Sequence, residues 1–300
     1  MSSCLVAIAS VAAAPPSDNA EALGVDWFNV LWVLDWFLVG LGAGVILGAV
    51  IVWLRRGRGN PLAMEADRPN HLMPDRAFLP ALVFLLAAAG LHMAAERMFA
   101  GEVLEGAMWH VGNGAQLIGG LACVWVGAVS FEGGAAVFLL GDRRTGRDLL
   151  YGVLYLFASL SICAAVLYAT QVLMVRFWPE YPFPEHEAIE RLRTGEVPAW
   201  TVWLGTVVIA PIAEECFFRG ILVTMLRNLL RSRWLVVLLS GAIFGAAHSE
   251  QPQVIPALTA LGVLLGILYL RTGSLLGPIV LHLLFNFKTM LWETLLGLGR

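Results

Sequence analysis

The chain has 300 residues, 59% of them hydrophobic and only 14% charged, with a mean hydropathy of +0.76 and a formal net charge of -3. That composition lies outside the range of soluble globular domains, and so small a charge offers nothing for nucleic acid to bind. Its apolar runs are continuous and reach the roughly 20 residues that a helix needs to cross a bilayer, where a barrel would show shorter alternating segments. The expected fold class is therefore all-α, a polytopic membrane helical bundle of about eight transmembrane helices.

Residues 1–26 hold a short apolar run, Leu5 onward, with no basic residue before it, and are expected to form a mobile or interfacial N-terminal segment. A first span over 27–54 carries Trp27, Trp32, Trp36 and Trp53 as interface anchors and ends in Arg55-Arg56-Gly57-Arg58. The positive-inside rule puts that cluster in the cytoplasm and the N-terminus outside. Gly40, Gly44 and Gly48 in this span have a small-xxx-small spacing that permits close helix packing, within the chain or in a homodimer.

A second span (77–99) returns outward to a loop with Glu102 and Glu105, and a third (107–131) leads to the basic turn Asp142 to Arg147. With a fourth span (149–175), residues 27–176 make a set of four N-terminal helices. Residues 177–199 then form a net acidic outer loop, holding Glu180, Glu185, Glu187, Glu190 and Glu196 against Arg191 and Arg193, and its expected state is solvated. Residues 200–300 supply the last four spans, at 200–233, 234–248, 254–270 and 276–296, with the C-terminus outside. Of His92, Glu96, His110, Asn113 and Gln116 on the second and third spans, Glu96 sits with Arg97 at a helix end and the others are expected to satisfy one another, with a role in lining a groove as the second choice. The scattered cysteines, Cys4, Cys123, Cys163 and Cys216, contain no CxxC pair and are expected to act as small core residues.

Charge is costliest at Glu214 and Glu215, which lie inside an apolar segment. An ionisable group at membrane depth costs roughly 2.5–3.5 kcal/mol and is a functional candidate by default. Glu215 and Arg219 share a helix face and can neutralise each other, whereas Glu214 points about 100° away. Two more polar sets follow on separate apolar helices: His248, four residues after Phe244, and His282 with Asn286. Two histidines and a carboxylate from three helices can do one of two things. They can hold a divalent cation such as zinc at Glu214, His248 and His282. Alternatively, Glu214 and His248 can activate a water while His282 and Asn286 donate to the oxyanion of an attacked carbonyl.

Glu214-Glu215-Cys-Phe-Phe-Arg219, Phe244-Gly-Ala-Ala-His248 and His282-Leu-Leu-Phe-Asn286 stand in order on successive apolar segments, and Arg271-Thr272-Gly273-Ser274 precedes the last. This arrangement resembles the CPBP (CAAX protease and bacteriocin-processing) family of intramembrane endopeptidases, which includes the type II CAAX prenyl proteases. The resemblance covers residues 197–287 and implies a peptide bond hydrolysed at the membrane. It implies Glu214 and His248 on the water, His282 and Asn286 on the oxyanion, and Glu215 with Arg219 shaping the site. It also implies a membrane-anchored or lipidated peptide or protein substrate, and a bacterial plasma (inner) membrane as the location. Metal dependence stays open. A transporter or channel with a carboxylate and histidine relay is the alternative class, and a non-catalytic scaffold or immunity protein of the same fold is a third.

Overall fold

The computed structural model describes residues 27–55, 70–141 and 144–298. The N-terminal segment with Cys4, Arg56 and Arg58 of the first basic turn, and Asp142 and Arg143 of the second lie outside the described residues. Helices follow one another along the chain: α1 (Trp27–Arg55), α2 (Pro74–Ala77), α3 (Leu79–Met98), α4 (Gly101–Ser130), α5 (Gly134–Leu140), α6 (Thr145–Phe177) and α7 (Glu187–Thr194). A continuous helical rod, α8 (residues 199–229), leads to α9 (Arg233–Ala246), α10 (Ile255–Thr272) and α11 (Leu276–Leu298). Among the described residues there is no strand, only a single antiparallel bridge from Asn70 to Phe131. The fold is an all-α polytopic bundle, and the chain is an integral membrane protein.

Among the described residues six helical stretches are long and apolar enough to cross a membrane: Asn29–Arg55, Pro74–Met98, Val103–Ser130, Gly134–Phe177, Pro252–Thr272 and Leu276–Leu296. They coincide with six of the expected spans. The other two expected spans take different forms: α9 is short, and α8 is a rod in which α-helical and π-helical turns alternate. The short α5 is a further helix that the hydropathy pattern does not separate from its neighbours.

Burial sorts the helices. Side chains such as Val33, Trp36 and Phe37 leave α1 exposed toward the lipid, whereas Leu261, Leu265 and Leu268 of α10 are fully buried. Cores of Leu, Phe, Val and Cys side chains join α4, α5, α8, α9 and α10, and a second apolar cluster ties α6 to α10 and α11. Cys123, Cys163 and Cys216 are buried free thiols within this packing, as expected. Of the α1 glycines, only Gly42 meets a neighbour, at Phe157 and Ser161 of α6. A Cβ at Gly40, Gly44 or Gly48 would meet nothing within 4 Å among the described residues, so the spaced glycines make no close packing contact there.

The segment 178–199 is largely exposed, as expected of a solvated loop, but part of it is helical and packs on the bundle. It forms α7, whose apolar side packs Ala188 and Val197 with Val202, Val207 and Met290 of α8 and α11. Gln253 holds it by donating to the Pro184 carbonyl at 2.7 Å. Arginines on its polar side pair Arg191 with Glu187 and Glu196, and Arg193 with Glu185. Alternation of charge along the segment hid a docked amphipathic turn.

The α9–α10 contact is close, because lipid gives helices little hydrophobic reason to associate and small residues let backbones approach. A Cβ on Gly262 would fall 2.9 Å from Gly241 Cα, and one on Gly241 would meet Val263 and the Thr259 carbonyl. Gly241→Leu should therefore force α9 off α10. The expected cost is at least about 1–3 kcal/mol, the range for overpacking, seen as a clearly lowered melting temperature in detergent. Gly44→Leu, on the open face of α1, should leave it unchanged.

Candidate functional site

The site is organised by a chain of buried polar contacts. Arg219 and Glu215 have no exposed surface, and Arg219 Nη1 donates to Glu215 Oε1 at 3.0 Å. The other side of the guanidinium is held by the Gly262 carbonyl, with Nη2 at 3.2 Å. The Phe244 ring lies under it, 4.6 Å from Cζ to the ring centre, a cation–π contact strengthened by the absence of water. Glu215 Oε1 also receives His282 Nδ1 at 2.8 Å. A carboxylate paired with a guanidinium is an acceptor, so Nδ1–H is the donor, and Nε2 is left facing Glu214 Oε2 at 3.9 Å.

Glu214 keeps about a quarter of its side chain accessible (23%), in contrast to its neighbour. The expected split between the two acids is therefore observed: Glu215 is neutralised locally, and Glu214 faces a cavity. That cavity has a volume of about 690 Å³ and is lined by Glu214, His248, His282 and Asn286 together. Glu215 and Arg219 stand behind it as its support.

His248 lies just past the end of α9, and its Nδ1 donates to the Phe244 carbonyl at 2.9 Å. That bond caps the helix end and makes Nε2 the acceptor nitrogen. The Phe244 ring touches both histidines, with centroid distances of 5.1 Å to His248 and 5.6 Å to His282. Phe244 thus spaces the two imidazoles, holds one through its carbonyl and supports Arg219 through its face.

Asn286 is fixed by a defect in α8. Ala210 donates its N–H to the Gly205 carbonyl in a π-helical turn over Leu204–Ile209. The next donor in that register is residue 211, a proline with no N–H. The Thr206 carbonyl is thereby left without a helical partner, and Asn286 Nδ2 supplies one at 2.9 Å. One of the two amide N–H groups is used in this way, and the other remains for a ligand.

Among the described residues no group of three or more His, Cys, Asp or Glu side chains is placed to hold a metal ion. The zinc alternative at Glu214, His248 and His282 accordingly has no assembled ligand set. Of the polar group on the second and third spans, His92 and Glu96 pair with each other at 3.2 Å on the exposed surface of α3. His110 is exposed too, but Asn113 and Gln116 line the cavity. In place of the mutual satisfaction expected of His92, His110, Asn113 and Gln116, His92 pairs with Glu96 and Asn113 bonds the Trp109 carbonyl. The carbonyls of Thr206 and Gly262 were not foreseen as site groups, and Pro211, five residues after Thr206, is the sequence signal that points to the first.

A polytopic helical membrane protein with a cavity between its helices, faced by a carboxylate, two imidazoles and an amide, is what the fold and the geometry define. Residues 196–288 match the family model described as "Type II CAAX prenyl endopeptidase Rce1-like", which shows over that segment the resemblance carried by the three boxes. An "Uncharacterized 24.3 kDa protein" of Escherichia coli is 35% identical over 83 residues, covering 25% of this chain. The chain spans 36% of that relative's length. No solved structure matches.

Removing one member of the buried ion pair should be worse than removing both. Glu215→Met strands a guanidinium in an apolar core and should cost about 3–5 kcal/mol. The double replacement of Glu215 and Arg219 by Met should recover most of that loss. Unfolding of the purified variants in detergent checks the order, which reverses if the pair is a dispensable surface-like contact.

Proposed function

We propose that this chain is an intramembrane endopeptidase that hydrolyses a peptide bond in a membrane-anchored or lipidated peptide or protein. The observation that carries the proposal is the convergence of Glu214, His248, His282 and Asn286, from three helices, on one cavity. The match of residues 196–288 to CAAX prenyl endopeptidases supports the same reaction class.

In this reading a water sits between Glu214 and His248 Nε2. Glu214 takes a proton as the hydroxide attacks the substrate carbonyl carbon. The proton is then 3.9 Å from His282 Nε2, so a small rotation transfers it and makes that nitrogen a donor as the oxyanion forms. The free N–H of Asn286 is the second donor. Collapse of the tetrahedral intermediate breaks the C–N bond, and the same proton leaves on the amine. Glu215, anchored by Arg219, holds the imidazole in the tautomer and orientation this needs, in the manner of a carboxylate behind a catalytic histidine. No step requires a metal.

The test uses the full chain in detergent with a lipid-anchored peptide. Glu214→Ala, His248→Ala and His282→Ala should each lower kcat/KM by at least about 100-fold while melting temperature is retained, as expected for lost acid–base or oxyanion groups. Cleavage that survives all three replacements refutes the proposal. Ion flux into liposomes that disappears with Glu214→Ala would instead establish a relay.

A further inference from the structure

Part of the cavity wall comes from α4, outside the segment that matches the family model. On this apolar helix Trp109, Asn113 and Gln116 recur at spacings of four and three, so they form one stripe along a single face. Gly112, Gly119 and Gly120 lie beside them on the cavity wall and leave room in front of the amides. At Gly120 the wall is close to α8: a Cβ there would stand 3.3 Å from Ala213 Cα, one residue before Glu214.

The two amides are not used up by the protein. Gln116 Oε1 is buried and meets no hydrogen-bond donor among the described residues. Such an acceptor normally finds a partner, because a buried polar atom left without one keeps the full cost of its desolvation. Asn113 Nδ2 donates to the Trp109 carbonyl at 2.8 Å, a bond within its own helix that fixes the amide plane. The same amide fills the space that a Cβ on Gly205 would require, next to Thr206, whose carbonyl holds Asn286. Asn113 and Asn286 therefore flank the same π-helical turn.

From this geometry we propose that Asn113 and Gln116 form a main-chain-binding strip that holds the substrate peptide extended across the cavity shared with the groups that act on its carbonyl. The inference rests on the endopeptidase reading. Chemistry selects the ligand group: a neutral carboxamide offers one acceptor and an N–H donor, the complement of a peptide unit, and does so without the cost of a charge at this depth. Gln116 Oε1 accepts a substrate N–H. The strip senses backbone and not side chain, so it tolerates varied sequence around the scissile bond, and it belongs to α4 and not to the three boxes. Both residues position the substrate and take no proton in the reaction.

The test uses full-length protein in detergent and a lipid-anchored peptide that the wild type cleaves. A companion series replaces one backbone amide at a time near the scissile bond by an ester, which removes a single N–H. Gln116→Met and Asn113→Leu, near in size, should raise KM by roughly three- to tenfold, the range for a lost neutral hydrogen bond, with kcat nearly unchanged. On one ester peptide the Gln116→Met penalty should vanish, because the bond it removes is already absent. Equal penalties on every peptide, or none, overturn the strip while leaving cleavage and the endopeptidase reading intact. Failure of the wild type to cleave any peptide overturns both. If Gln116→Met does not fold, as judged by its melting curve, the comparison of Asn113→Leu with wild type on the same series decides in the same way.

Discussion

A guanidinium with no exposed surface, in a protein that sits in lipid, is the constraint from which the rest of the site follows. Arg219 can stay charged there only because Glu215, the Gly262 carbonyl and the face of Phe244 surround it. Each of these belongs to a different part of the last four helices, so satisfying one side chain fixes α8, α9 and α10 relative to one another. Gly262 can offer its carbonyl because Gly241 opposite lets the two backbones approach. Close helix packing and charge burial are therefore one requirement.

The same pair prepares the site chemically. Glu215 is occupied by Arg219 on one side and by the His282 Nδ1–H on the other. It is consequently unavailable as a base, and Glu214, one residue earlier and about 100° around the helix, faces the cavity in its place. Adjacent acids acquire distinct environments with no difference in residue type, because a helix sends neighbours in different directions. A second asymmetry comes from Pro211, which removes one backbone donor and so frees the carbonyl that orients Asn286.

The N-terminal helices are more than a lipid-facing shell. α4 lines the cavity directly, and α7 packs against α8 and α11 beside the cavity, with Glu185, His186 and Glu187 among its lining residues. By contrast α1 packs mainly on α6 and joins α11 through the Lys288–Asp35 pair at 2.6 Å, with Ser161 bonding the Val39 carbonyl. Elements outside the three boxes thus divide into those that shape the cavity and those that brace its walls.

Much of this was legible in the residues. Hydropathy alone establishes an all-helical membrane protein, since long apolar runs have few other solutions in lipid. The spacing of Glu215 and Arg219 establishes their pairing, because i,i+4 contacts are local, and the three boxes single out the polar groups that line or support the cavity. Contacts between helices could not be read in this way. That Glu215 carries His282, that Phe244 stands between two imidazoles, and that Asn113 and Gln116 line the same cavity as Glu214 depend on how the rods are rotated against one another. Periodicity gives each helix a face but never its partner, and only packing in three dimensions decides which faces meet.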